Sequence, residues 1–471
     1  MSRFPQATSA FGLVRMRRLL AAFGNPQDTV PAIHVAGTNG KGSTAVCCAS
    51  ILAAAGLPTG LFTSPHIEHL SERLQIVRPS GRVCIEASAL EALREEVGQV
   101  CRRRMPEARM TLFDELVACA YLYFARAGCR AMVIETGLGG ALDATNVISA
   151  PKVAVITGIG RDHEHLLGRH LPEIAAAKVG IVTSQTTCLL AGHVSDHSED
   201  WPAAASSRAA AEQAAVLQVL QRHCEQLQVP LLLTDEDNVH PDSPAAEGDL
   251  TGMTFFLPER SARFRAPLPG VHQVFNTALA IRATTALYSE TITDQVIRTG
   301  LQQVKWPGRM QMLLQHPPLI FDGAHNPQGM RSAVQTLNQY FARKGLLLLL
   351  GFSADKDWQE MIRILLEEAR FQIAGIIFTT PDAERGLPAD TPAKHLEELY
   401  KPRPNRYNIS DIAVCSELTA AVRKTRALQR QTGLPAFVCG SLYAAGTVMR
   451  VCAAISEEEQ HLELERRGTE I

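Results

Sequence analysis

Residues 33–44 read Ile-His-Val-Ala-Gly-Thr-Asn-Gly-Lys-Gly-Ser-Thr. The first four residues form a short apolar run of strand length. An apolar stretch of helical period, Ala45 to Ala55, follows the hydroxyl pair Ser43-Thr44. Strand, glycine-rich turn, lysine, hydroxyl and helix, in that order, wrap backbone N–H groups around a polyphosphate. The glycines let the backbone approach, Lys41 supplies a point charge, and Ser43 or Thr44 can reach a magnesium ion or a phosphate oxygen. The spacing departs from the common G-x-x-x-x-G-K-[ST] pattern. Val35 stands where its first glycine belongs, and Gly42 separates Lys41 from Ser43. The reading is a nucleotide loop of a particular kind.

At 471 residues the chain exceeds one ordinary core, so two or three domains are expected. Hydrophobic residues make up 46% and charged residues 20%, the balance of a soluble globular protein. A net charge of −2 gives no bulk attraction to nucleic acid or to an anionic membrane. The one basic triplet, Arg102-Arg103-Arg104, reads as a solvated face. No apolar run reaches membrane-spanning length. Eleven scattered cysteines without a C-x-x-C pair, behind a polar N-terminus, point to a reduced, cytoplasmic protein.

Residues 31–180 alternate short apolar runs with helical stretches. Strands are expected at Ile33–Ala36, Ala131–Glu135 and Val153–Thr157, and helices at 43–55, 86–104, 113–127 and 171–180. This predicts an α/β domain with a mainly parallel sheet covered on both faces. An Ala- and Ser-rich stretch, 195–215, leads into a helix through about Gln228, and 235–265 reads as a small strand-rich excursion. Trp306-Pro307-Gly308-Arg309 looks like a junction. Beyond it a second β-α series predicts a Rossmann-like C-terminal domain, giving domains 1–305 and 306–471. The charged stretch from Ser456 extends the last helix or frays.

Polar residues recur where strands of the first half end. Ser64 follows Gly60–Phe62, Glu135 closes Ala131–Glu135, and Asp162-His163 follow Val153–Thr157. Open α/β sheets bind ligands at such ends. Taken singly, each has an ordinary reading as a cap or a loop residue. Together, around a triphosphate, a hydroxyl, a carboxylate and an imidazole suggest a metal site. Magnesium prefers oxygen, and the imidazole would also accommodate manganese. The Gly/Asp/Asn segment 138–146 is either a surface loop or the lining of an acceptor pocket. Asp322 or His325, directly after a second-half strand, could bind a ribose or an adenine edge, and Arg309 could reach a phosphate.

These segments, taken in order, resemble the folylpolyglutamate synthase and dihydrofolate synthase family of the Mur ligase superfamily. The matches are HVAGTNGKGST (34–44), TSPHIEHLSERLQI (63–76), ETGLGGALDATN (135–146), DHEHLLG (162–168), IAAAKVGI (174–181), LPGVHQVFNTALAI (268–281), WPGRM (306–310), DGAHNPQG (322–329) and DKDW (355–358). The resemblance as a whole runs from about Ala7 to about Met449. The resemblance implies an ATP-dependent ligase that phosphorylates a folate or pteroate carboxylate and joins L-glutamate to it. It implies phosphate binding by Thr38, Asn39, Gly40, Lys41, Gly42 and Ser43, with Gln273, Asn276, Arg309, Asp322 and His325 also on ATP. Ser64 and Glu135 would hold a first magnesium and His163 a second, and the family admits a potassium ion. Phe113, Asp114, Leu142, Asp143 and Ala144 match pterin-contacting positions. Lys178, otherwise an ordinary helix lysine, matches one that is carbamylated, and joins His163 and Lys41 as catalytic. A monomer is the family's usual state. A Mur-type ligase with another acceptor stays open, as does a nucleotide switch, although no Asn-Lys-x-Asp guanine reader is present. Ala177 and Ala141 stand where the family often carries charge, and both lie on the acceptor side.

Overall fold

Five consecutive buried residues, Ala32–Ala36, form the central strand of the first sheet. An unalternating apolar run suits a strand with parallel neighbours on both sides and helices over both faces. Those neighbours are Ala131–Glu135 and Lys152–Ile156, both parallel to it. In the computed structural model the sheet has eight strands, in the spatial order 81–84, 74–78, 59–62, 131–135, 32–36, 152–156, 186–191 and 231–233. Only the edge hairpin Leu74–Arg78 with Gly81–Cys84 runs antiparallel. Its outer strand alternates exposed and half-buried residues, as an edge facing water should. The structure describes residues 6–107, 109–149, 152–192, 207–242, 250–342, 344–400, 409 and 411–468.

Helix Ala87–Arg104 shows how the sheet is covered. Leu90, Leu93, Val97 and Cys101 are its buried residues, spaced three or four apart on one stripe. Each such side chain contributes about 1.5–3 kcal/mol when fully buried. With helices Gln6–Ala21 and Leu112–Arg126 it builds one core cluster. Helices Leu171–Val179 and Ser207–Leu227 build the other. Helix Lys41–Ala54 starts directly from the glycine turn and buries eleven consecutive residues, Ser43 to Ala53. Cys47 and Cys48 are both inside it, and all eleven cysteines are free thiols.

The strand-rich excursion is a three-stranded antiparallel sheet of His240–Pro241, Thr254–Leu257 and Ala262–Arg265. The Ala- and Ser-rich stretch lies partly outside the described residues; its helix is Ser207–Leu227. The first compact unit takes in the described residues up to Asp242, then Met253–Pro267 and Val271–Lys305.

The second unit runs from Trp306 and also includes Leu268–Gly270 and the described residues of 243–252. Its sheet has six strands in the order 311–315, 318–321, 436–439, 345–350, 372–378 and 412–414. The first pairs antiparallel and the rest parallel. Leu250 packs on this unit's core, and the Tyr340 hydroxyl donates to the Thr251 carbonyl at 3.2 Å. The final helix runs Ala445–Gly468, so the charged end continues it. Both units have the α/β architecture expected, a mainly parallel sheet followed by a Rossmann-like one. Among the described residues no helix is long and apolar enough to cross a membrane.

Candidate active site

The glycine turn leaves the C-terminal end of the central strand, and its two neighbours end beside it. The Thr136 amide donates to Val35 O at 2.9 Å and the Thr157 amide to Ala36 O at 2.9 Å. The ends of these three strands therefore meet at the turn. Gly37 has φ +153°, and a Cβ there would lie 2.0 Å from Thr157 Oγ1. Gly40, with φ +85°, precedes the helix, and a Cβ there would meet Asn276 Oδ1 at 2.5 Å. Thr157 Oγ1 donates to Asn39 O at 2.5 Å, and Thr38 Oγ1 to Gly160 O at 2.9 Å. Asn276 in turn donates to Gln273 Oε1 at 3.0 Å. Gln273 and Asn276 thus belong to the first unit, on the helix Val271–Leu287 that supports the turn. Ser43 Oγ and Thr44 Oγ1 are buried without a hydrogen-bond partner at the start of the helix. Two orphaned hydroxyls beside a helix N-terminus suit an incoming phosphate or its cation.

Substituting Gly40→Ala combines a left-handed backbone with a clash against Asn276. Strain of this kind costs about 1–3 kcal/mol. We expect a lower denaturation midpoint and weakened binding of a non-hydrolysable ATP analogue, read by urea titration and calorimetry. Unchanged analogue affinity would remove this turn from nucleotide binding.

Two ammonium groups meet on one oxygen. Lys41 Nζ donates to Gly37 O and Thr38 O, each at 3.0 Å, and Lys178 Nζ donates to Gly37 O at 2.8 Å. Lys178, near the end of helix Leu171–Val179, is only 3% exposed. Burial, and then the neighbouring Lys41 charge, bring its pKa down to about 7, partly opposed by Asp162 and Asp143. Glu135 is buried at the end of its strand and accepts the Ser64 amide at 3.0 Å. His163 follows at the start of a short helix with φ 51°, its Nε2 3.8 Å from Asp162 Oδ1. Among the described residues no three His, Cys, Asp or Glu side chains gather as a metal cage. A single carboxylate with a neighbouring serine suits magnesium, which binds through one or two carboxylates and keeps waters or phosphates as its other ligands.

The residues expected on the acceptor side sort into distinct structural roles. Phe113 lies over Gly137, where a Cβ would meet its ring at 2.5 Å, and it also packs on Phe62. Asp114 closes a capping box with Thr111 and lies 3.5 Å from Arg15. Leu142 is exposed, whereas Ala144 is buried in the core cluster. Asp143 is buried and ties the loop to itself, accepting from the Gly137, Leu138 and Thr145 amides at 2.9, 2.8 and 3.0 Å. Burial raises its pKa, against the lowering effect of those hydrogen bonds. In the second unit Asp322 accepts the Met310 and Ala324 amides, each at 2.8 Å. Burial raises its pKa while Arg309 lowers it. Arg309 lies over Gly323, and His325 Nδ1 is 2.8 Å from Gly323 O.

The Mur ligase middle-domain model matches residues 35–284, more than half of the chain, and the Mur ligase glutamate-ligase-domain model matches 308–442. The dihydrofolate synthase/folylpolyglutamate synthase of Bacillus subtilis is 34% identical over 75% of this chain and 78% of its own. The chain is a Mur ligase of the folylpolyglutamate and dihydrofolate synthase family. The dihydrofolate synthetase of Saccharomyces cerevisiae is 29% identical over 93% of this Mur ligase and 97% of its own chain. A crystal structure of Mycobacterium tuberculosis folylpolyglutamate synthase complexed with ADP and AMPPCP matches with a TM-score of 0.78. It is 27% identical and covers 93% of this chain and 95% of that one.

Some site residues of this Mur ligase escaped the sequence reading. Thr157 was seen only as the end of a strand, yet its hydroxyl braces the nucleotide turn at Asn39. His34 lies within the apolar run, yet its Nε2 is 2.9 Å from Thr145 Oγ1 in the 137–146 loop. The signal for both was a polar side chain inside a stretch that is otherwise apolar and buried.

Proposed function

We propose that this Mur ligase uses ATP to join L-glutamate to the carboxylate of a folate, and that dihydropteroate is a second acceptor. The observation that carries this reading is the convergence of Lys41 and Lys178 on Gly37 O. It occurs beside the strand ended by Glu135, in a chain whose relatives bear these activities in their names. The expected division at residue 305 is kept for the roles, ATP binding in 1–305 and glutamate ligation in 306–471, except that Leu268–Gly270 and the described residues of 243–252 go with the second domain. The protein works as a cytoplasmic monomer, a location supported by its eleven free thiols.

In this reading the amides of Thr38–Ser43 and the Lys41 ammonium cradle the β- and γ-phosphates of ATP. Gln273 and Asn276 hold the turn in shape, and Arg309, Asp322 and His325 contribute to ATP from the second domain. Phe113, Asp114, Leu142, Asp143 and Ala144 define the acceptor side, chiefly by fixing the loop in front of it. Magnesium, for which Glu135 and Ser64 supply oxygen donors and His163 a second position, would neutralise charge on the phosphates when bound. The acceptor carboxylate attacks the γ-phosphorus and ADP leaves, giving an acyl phosphate. The glutamate amine then attacks the acyl carbon, loses a proton, and inorganic phosphate departs from the tetrahedral intermediate. The chain's part is positioning and charge neutralisation. Lys178, part neutral near pH 7, adds carbon dioxide through its amine nitrogen, releases one proton to solvent and becomes an anionic carbamate beside the Lys41 cation.

The decisive assay supplies ATP and labelled L-glutamate with tetrahydrofolate, dihydropteroate or a muramyl peptide, and follows labelled product and ADP. Ligation to a pterin acceptor is expected. Turnover with the muramyl acceptor alone would replace the folate reading by another amino-acid ligase. ATP hydrolysis without any ligation would reduce the protein to a nucleotide switch.

A further inference from the structure

His34 is fully buried in the central strand, and it is polar where its neighbours are apolar. Its Nε2 lies 2.9 Å from Thr145 Oγ1. The direction of that bond follows from counting protons. The Thr145 hydroxyl has one hydrogen, and it donates this to Asp143 Oδ1 at 2.5 Å. It must therefore accept from His34, which carries its proton on Nε2. Nδ1 is then a bare acceptor, and it is buried without a partner. Burial and the Lys152 charge keep the ring neutral. An imidazole with an unpaired buried nitrogen is a poor choice if packing were its only task.

Its effect passes along the loop. Asp143 receives the Thr145 hydroxyl on one oxygen and holds the Gly137 and Leu138 amides on the other. On the far side the Ala141 amide donates to Ala177 O at 2.7 Å. Asn146 Nδ2 donates to Gly180 O at 2.9 Å. Gly140 lies so close to the same helix that a Cβ would be 2.7 Å from Lys178 O. The loop is thus clamped between the nucleotide strand and the helix that carries Lys178, with little room to shift on its own.

We propose that His34 is a positioning residue for the acceptor half of the reaction, setting the 137–146 loop against the Lys178 helix through Thr145 and Asp143. This rests on the ligase reading above. It separates His34 from the nucleotide turn that follows it in sequence, because the side chain points its hydrogen bond at the loop and not at the turn.

The test compares His34→Leu, His34→Gln, Thr145→Val and the double variant His34→Leu/Thr145→Val. In His34→Leu, kcat/KM for the pterin acceptor should fall about 10- to 100-fold, as small misplacements near reacting groups do. AMPPCP affinity should stay within about twofold, because no nucleotide contact is removed. Gln carries an amide N–H near the place of Nε2–H and should restore most of the loss. Thr145→Val should reproduce it, and the double variant should add little, since both break one chain. Amide exchange at Gly137 and Leu138 should quicken in every variant that loses activity. The proposal is overturned if His34→Leu leaves acceptor kcat/KM intact or weakens AMPPCP in parallel. It is equally overturned if exchange quickens without any acceptor effect. Should His34→Leu fail to fold, Thr145→Val carries the same predictions. If the wild-type protein ligates no pterin, the ligase reading fails, while exchange and AMPPCP binding still report on the clamp.

Discussion

Lys178→Ala should lower ligation about 10²- to 10³-fold or more, the scale seen when one preorganised charge partner is removed from a closed site. Binding of an ATP analogue should survive. The lysine is 3% exposed and donates to Gly37 O, 141 residues away in the chain. A buried ammonium facing a second ammonium loses its proton readily, and carbon dioxide adds only to the neutral amine. With a pKa of about 7, half the side chains are neutral at neutral pH. Activity at one fixed, subsaturating concentration of dissolved carbon dioxide should therefore fall as pH drops from about 8 to 6. Added bicarbonate should recover more at the upper end. Lys178→Arg should fail as well, since guanidinium stays charged. A Lys178→Ala enzyme with near-normal kcat would end the carbamate role.

The same group sets a stability trend whose sign can be worked out. Its native pKa of about 7 lies below the ordinary 10.5. Between those values the unfolded chain holds the proton and the folded chain does not. Stability contributed by this site therefore rises with pH across that window, and the full cost of burying the charge is felt below pH 7. Comparing the melting temperatures of the wild type and Lys178→Met across pH 6–9, without bicarbonate, checks it. The advantage of Met should shrink as pH rises.

Glu135→Gln should lower kcat about 10²-fold or more and raise the magnesium concentration needed for half-maximal turnover. The substitution keeps the oxygen that accepts the Ser64 amide at 3.0 Å, so the fold should hold. What it removes is the negative charge at the end of the Ala131–Glu135 strand, paired in register with Val35. Ser64→Ala, which loses only a neutral donor, should cost less. A magnesium titration that is identical for Glu135→Gln and wild type would exclude Glu135 as a ligand.

Much of this was legible because it is local. The Ala131–Glu135 strand falls where its apolar run places it, and the helix expected at 43–55 is present as Lys41–Ala54, beginning two residues early because the turn residues Lys41 and Gly42 join it. The antiparallel edges were harder. Gly81–Cys84 and Gln311–Gln315 are short, half-exposed and polar enough to read as loops, and Leu74–Arg78, although its first four residues are buried, is a five-residue run that starts directly after the polar segment Ser71-Glu72-Arg73. The N-terminal helix Gln6–Ala21 has its buried stripe, Leu13, Met16, Leu19 and Leu20, interrupted by the basic run Arg15, Arg17 and Arg18, which reads as a polar N-terminus. The site itself was legible mainly through resemblance. Nothing near Lys178 in sequence announces Gly37, and nothing near His34 announces Thr145, because both contacts close over more than a hundred residues.

The chain supplies its second unit in instalments: part of 243–252, then Leu268–Gly270, then everything from Trp306. A chimera of two relatives joined at residue 305 would therefore be mixed where it looks clean. The Thr251 carbonyl and Leu250 would come from one parent, and the Tyr340 hydroxyl and the core they serve from the other. Exchange of specificity between family members is best designed with five crossovers, two around each internal segment and one before Trp306, and gene fragments cut at a single junction should yield a C-terminal piece that lacks part of its own wall.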